Sequence, residues 1–250
     1  MTQNVTSFPN PPITEALLDI RVNLPKEITL DTLATFQGEI KERFPTKKEK
    51  YKWEGGVQFQ AGGAPKIIPS SSGTIGYLFH AADGKKIVQA RLDGYTFNKL
   101  KPYTNWEEFH SEAKELWEIY LKIAKPVNVT RVALRYINRI EIPLPFKDFK
   151  EYILTVPEIG DNIPSALSGF FTRLIIPNPD IQADAVITET MEKIDDKAKV
   201  LPFIFDIDVS RKYVFEPQSD EIWQTLNKLR EFKNQIFLNS MTEKAKELFK

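Results

Sequence analysis

The sequence predicts an α+β fold in which internally duplicated strand-helix-(three or four strands)-helix units form a curved antiparallel sheet with helices packed on one face. Three observations predict it. First, Val129 to Pro143 (VTRVALRYINRIEIP) alternates strictly, with Val132, Leu134, Tyr136, Asn138, Ile140 and Ile142 on one face of a strand. Arg131, Ala133, Arg135, Ile137, Arg139 and Glu141 fall on the other face. Second, Glu15 to Leu24 (EALLDIRVNL) alternates in the same way, with Ala16, Leu18, Ile20, Val22 and Leu24 on its apolar side. Third, each of these strands is followed by a helix, a run of strands and a long amphipathic helix, and a repeated element order is the mark of duplication. The repeats are placed at residues 1–126 and 127–250, packed as one integral unit.

In the first repeat, Pro11 and Pro12 set an extended approach to the opening strand, and Pro25 closes it. A helix is predicted from Leu30 to Arg43. Thr29 is its N-cap, Asp31 lies in its first turn, and Leu30, Leu33, Ile40 and Phe44 recur at helical spacing. Pro45 ends it, and Lys47, Lys48 and Lys50 read as a solvated turn. Tyr51 to Gln60 reads as a strand, and Ala61 to Gly73 (AGGAPKIIPSSSG) as a hairpin loop. Thr74 to His80 and Lys85 to Leu92 form a hairpin around Asp83-Gly84, with Gly94 to Lys99 extending the second strand past a bulge. Trp106 to Lys125 closes the half as a helix, with Asn105 and Glu108 as a capping box and Phe109, Ala113, Leu116, Trp117 and Tyr120 as its buried stripe.

The second repeat opens on Val129 to Pro143. A short helix is expected over Lys147 to Val156, carrying Phe149, Tyr152 and Ile153, and Pro157 to Pro164 is a loop. Strands follow at Ser168 to Ile176, Ile181 to Lys193 and Val200 to Val209, with a turn at Asp195-Asp196 between the last two. A helix from about Asp220 has Ser219 as N-cap and Ile222, Leu226, Leu229 and Ile236 as its stripe, and a short final helix ends at Leu248-Phe249. This element order is analogous to the duplicated saddle of TATA-binding-protein-like folds, with a pair of ferredoxin-like units as the alternative, and the analogy carries no function.

Lys+Arg and Asp+Glu both number 34, so the formal net charge is zero, which argues against a general nucleic-acid or anionic-membrane role. Cysteine is absent, which removes disulfides, thiol nucleophiles and cysteine metal sites. No basic leader precedes an apolar run, and no apolar run approaches the ~20 residues of a membrane helix. The expectation is a soluble cytoplasmic protein.

The segments PPITEALLDIRV (Pro11 to Val22), RLDGYTFNKLKPYTNWEEF (Arg91 to Phe109) and RVALRYINRIEIP (Arg131 to Pro143), taken together, resemble a family of uncharacterised prokaryotic proteins of similar length, distributed sporadically among bacteria and archaea. The resemblance covers most of the chain. It implies an accessory or mobile-element-type gene and supplies no catalytic residues.

Candidate chemistry lies on the polar strand faces. Arg21, Arg131, Arg135 and Arg139 are candidate anion-binding residues, since guanidinium forks suit phosphate and carboxylate. The rival reading is a ladder of cross-strand ion pairs with acids such as Glu15 and Asp19. Asp206 and Asp208 are weak candidates for a metal, with magnesium the ion that would suit them. His80 and His110 form no zinc motif, and Ser168-Gly169 is not a nucleophile elbow. Trp53, Tyr77 and Tyr95 are candidates to line a cleft, and Asn138 is expected to tie its strand to a neighbour. The reading is a non-catalytic binding or regulatory protein acting through the sheet face or the cleft between repeats, without a required cofactor. A protein partner or a second copy of the chain is expected, and a small anionic ligand is a further candidate. The alternative is a magnesium-dependent enzyme or sensor of a phosphorylated small molecule or nucleotide.

Overall fold

Strict alternation over Glu15–Leu24 and Val129–Pro143 is realised as two neighbouring strands at the heart of one sheet. The computed structural model describes residues 8–51, 55–58, 66–69, 73–160, 167–193 and 199–250, with only the backbone in 55–58 and 66–69. The strands are β1 (Ile13–Asn23), β2 (Thr46–Tyr51), β3 (Gly55–Gln58), β4 (Lys66–Pro69), β5 (Thr74–His80), β6 (Lys86–Arg91), β7 (Gly94–Leu100), β8 (Asn128–Pro143), β9 (Phe171–Asn178), β10 (Ala183–Met191) and β11 (Val200–Phe215). The helices are α1 (Leu30–Ala34), α2 (Phe36–Ile40), α3 (Trp106–Ala124), α4 (Glu221–Ser240) and α5 (Glu243–Glu247). Nine strands form an antiparallel sheet in the order β2-β5-β6-β7-β1-β8-β11-β10-β9, and β3 pairs with β4 separately.

Register aligns the apolar positions into rows. One row crosses Phe79, Val88, Phe97, Leu18, Leu134, Val209, Ala185 and Ile176 on successive strands from β5 to β9. A one-residue slip of any strand would turn its members to the opposite face. The helices cover this side: the Tyr95 hydroxyl donates to the Ala113 carbonyl of α3 at 3.0 Å, Phe97 stacks on Phe109, and Phe205 of β11 meets Phe237 of α4. Tyr95 is therefore core and lines no cleft, because its ring lies under α3 against Trp117 and Tyr120. Asn138 ties β8 to β11, donating to the Phe205 carbonyl at 2.9 Å.

Several local expectations change. The single helix over Leu30 to Arg43 is split at Thr35, whose hydroxyl donates to the Thr32 carbonyl at 2.7 Å and competes with helical pairing. Lys47, Lys48 and Lys50 lie on β2, an edge strand, where lysines discourage pairing with another chain. Gly94 to Leu100 is a separate strand after a tight turn, with Gly94 at φ 151°. The Lys147–Val156 helix shrinks to one 3-10 turn at Phe149–Glu151, because Leu154 N–H donates instead to the Ser240 carbonyl and Ile153 bridges to Met241. Asp220 is the N-cap of α4, while the Ser219 hydroxyl accepts from Glu221 N–H. Asn105 caps α3 through Glu108 N–H at 2.8 Å, but the Glu108 carboxylate accepts from the Asn105 amide side chain and not from its backbone. Trp53, the Asp195-Asp196 turn, residues 161–164 of the Pro157–Pro164 loop and most of Ala61–Gly73 lie outside the described residues.

Gly94 sits where β7 crosses β1. An added Cβ would lie 2.2 Å from the Ile20 carbonyl oxygen, on a backbone that L side chains rarely adopt. Gly94→Ala is expected to lower unfolding free energy by at least about 2 kcal/mol in urea titration. Gly38→Ala meets nothing within 4 Å in α2, and should be neutral or stabilising by ~0.5–1 kcal/mol.

Candidate functional site

The face of the sheet opposite α3 and α4 collects the predicted arginines, and each has a carboxylate partner. Asp19 on β1 is the hub. It accepts from Arg91 Nη2 at 2.8 Å, Arg21 Nε at 2.9 Å, Arg131 Nη1 at 3.2 Å and the Thr96 hydroxyl at 2.7 Å. Burial alone would raise its carboxyl pKa; the adjacent Arg91 and Arg21 guanidinium groups outweigh that and hold it below the usual aspartate value. Arg21 also pairs with Asp93. Arg135 grips Asp206 with Nε at 2.9 Å and Nη2 at 2.5 Å, and Arg131 reaches Asp208 at 3.3 Å. Arg139 contacts Glu192 at 3.2 Å and pairs with Glu141. Glu15 accepts from the Asn98 amide at 2.7 Å.

Arg91 was missed by the sequence reading. It is 3% exposed and also donates to Asp93, Gln89 and Thr96. Its signal was the alternation of Lys85 to Leu92, which puts Gln89 and Arg91 on one strand face. Asp206 and Asp208 share this face, each engaged by an arginine. Among the described residues no three His, Asp or Glu side chains are grouped as a metal site. His80 lies on β5, while His110 lies on α3 between Trp106 and Trp223, with ring centroids 5.0 and 5.1 Å away.

A second constellation lies on the helix-covered side. The N-terminal end of α3, the C-terminal half of α4, β8 and the segment before β1 enclose a cleft of about 250 Å³. Tyr136 and Asn138 of β8 form its floor, and Trp106, Phe237, Phe8 and Pro12 contribute its apolar walls. Phe8 packs edge-on against Phe249, which also meets Phe237, and Asn10 N–H donates to the Phe249 carbonyl at 2.9 Å.

Lys233 of α4 borders this cleft at 8% exposure. Its Nζ lies 3.9 Å from the centroid of the Tyr136 ring, and it makes no hydrogen bond or salt bridge among the described residues. Burial, reinforced by the charge of Arg230 one turn earlier, pulls its pKa down to about 7. The aromatic face offsets part of that penalty when the amine is charged. Arg230 lies over the Trp106 ring and, among the described residues, reaches only the exposed Glu107 carboxylate, at 4.0 Å. Tyr103 and Tyr136 share a hydroxyl–hydroxyl hydrogen bond of 3.0 Å, and burial pushes the Tyr103 phenol up to about 12.

Lys233 was legible as an anomaly. It falls four residues after Leu229 and three before Ile236, on the apolar stripe of its helix. An apolar cleft with a few convergent polar groups and a perturbed titratable side chain is the usual form of a small-molecule site.

Asp19→Ala would leave Arg91 buried with one fewer anion, and is expected to cost about 3–5 kcal/mol in chemical denaturation. Because the folded carboxyl is depressed, its contribution is complete above the unfolded value and lost as pH falls through the lowered one; Asp19→Asn should flatten that acid limb. Lys233 has the opposite location in pH. Its folded pKa lies below the unfolded 10.5, so the unfolded chain binds more protons between about 7 and 10.5 and stability rises across that window. Among the described residues, the charged groups that line the cleft with Lys233 are Arg230 on α4 and Glu107 on α3, alongside the phenols Tyr103 and Tyr136. Lys233→Met should raise melting temperature most below pH 7, by the equivalent of a few kcal/mol, and the gain over the parent should shrink toward pH 10. Compared with known proteins, the chain matches no family model and no curated sequence.

Proposed function

We propose that the protein is a binding or regulatory protein that takes a small organic anion in the cleft beside Lys233. The observation that carries this reading is a lysine nine-tenths buried, facing a cleft, with no carboxylate partner among the described residues. Arg230 supplies a second cation whose single ionic contact is long and solvent-exposed, while Asn138 and Asn234 supply amides at the same cleft. The arginines of the face opposite the helices are already engaged by Asp19, Asp206, Asp208 and Glu192, so an anion arriving there would have to displace a carboxylate. The cleft is the less costly place for it.

We further infer that the chain is two repeats, residues 1–126 and 127–250. What supports this is that β1 and β8 lie side by side, and that moving outward from each the strands run backward in chain order: β7, β6, β5 on one side and β11, β10, β9 on the other. The long helices α3 and α4 follow β7 and β11. The cleft then lies between corresponding helices of the two repeats, over the opening strand of the second. An accessory role, as the sequence resemblance implies, suits a protein whose task is recognition of a ligand.

Lactate, succinate and inorganic phosphate serve as probes in thermal shift and calorimetric titration at pH 6.5. At least one should stabilise the native chain, by about 2.7 kcal/mol at a hundredfold excess over Kd. The effect should vanish in Lys233→Met and weaken in Arg230→Ala. Equal binding by the native chain and both variants, or no binding of any probe, would overturn the reading.

A further inference from the structure

The chemistry of an amine differs from that of a mere cation. A lysine that serves only to attract an anion is best left in water or beside a carboxylate, where it stays charged. Lys233 has neither: it is buried, a guanidinium lies one turn away, and no acid pairs with it among the described residues. That environment favours the neutral amine, which is a nucleophile.

We propose that Lys233 condenses with the oxo group of a small α-oxo acid held in the cleft, forming a reversible imine. This rests on the anion-binding reading of the same cleft and names the class of anion. The volume of about 250 Å³ lies below the roughly 300–1,000 Å³ of pockets for drug-sized ligands, so the occupant is small. Arg230 borders the cleft on the same helix face as Lys233, and its guanidinium is the partner for the ligand carboxylate. The hydrogen-bonded hydroxyls of Tyr103 and Tyr136 supply proton donors at the cleft floor.

The step balances without any added oxidant or reductant. The Nζ lone pair attacks the carbonyl carbon, and the carbonyl π pair moves to oxygen, which takes a proton from the phenol pair. The nitrogen then returns a proton to the phenolate, and the phenol pair protonates the hydroxyl so that it leaves as water. The nitrogen lone pair forms the carbon–nitrogen double bond, and the resulting iminium gives its proton back to the phenolate. Amine plus oxo acid gives imine plus water, and water reverses it. Burial leaves a substantial fraction of Lys233 neutral near neutral pH, where an ordinary lysine is almost wholly charged, and this supports the attack.

The test uses the full chain with pyruvate and sodium borohydride near pH 7.5, read by intact mass and peptide mapping. The expected product carries the mass of one pyruvic acid less one oxygen, on the peptide containing Lys233, at a rate at least about tenfold above any other lysine. Excess lactate, which lacks the oxo group, should protect the native chain. Arg230→Ala should lower the adduct rate with the amine intact, which keeps the test open even where Lys233→Met folds poorly. Adducts spread evenly over surface lysines, or no adduct, overturn the imine. If lactate or phosphate still stabilises the native chain, the anion site survives that failure; if none does, both readings fall.

Discussion

The pairing of β1 with β8 is the constraint from which the rest of the molecule follows. It joins residues more than a hundred positions apart, such as Leu18 with Leu134 and Ile20 with Val132, and sets these two strands at the centre of the sheet. Every apolar row is continuous only if this register holds. On the opposite face the same register brings Arg131 to Asp19, so packing and charge pairing select one alignment. A slip of one residue would place Arg131 and Arg135 under the helices and Leu134 beside Asp208, with both faces penalised together.

The two faces divide the charged residues in opposite ways. The face opposite the helices holds many, and among the described residues Arg21, Arg91, Arg131, Arg135 and Arg139 are each neutralised by a carboxylate where they stand. The covered face holds few, and Lys233 is unpaired. Abundance of charge thus marks structure here, while Lys233, unpaired among the described residues, borders a cleft. Exposed pairs such as Arg139 with Glu192 are individually weak, whereas the burial of Arg91 makes Asp19 indispensable to its neighbours.

Much of this architecture was legible in the chain. Strict alternation over Val129 to Pro143 read out both faces of β8, including the tie made by Asn138. The stripes of α3 and α4 located both long helices. What stayed hidden depended on partners distant in sequence. Nothing local to Lys47–Lys50 says that β5 lies alongside and makes it a strand. Nothing local to Lys147–Val156 says that Ser240 and Met241 will take its hydrogen bonds. The four arginines could be found by periodicity, but only register shows which acid each one meets. Lys233 stood in the sequence as a polar interruption of an apolar stripe, and its meaning emerged only with the cleft.

The contact between Phe8 and Phe249 carries a consequence for how the molecule comes into being. Phe8 and Phe237 of the cleft wall are both backed by the Phe249 ring, and the Asn10 to Phe249 hydrogen bond fixes the segment that carries Phe8. During synthesis the floor and the lysine are both made before Phe249, the ring that backs the wall. An occupied cleft therefore reports that β8, α4 and the segment carrying Phe249 have come together with the approach to β1.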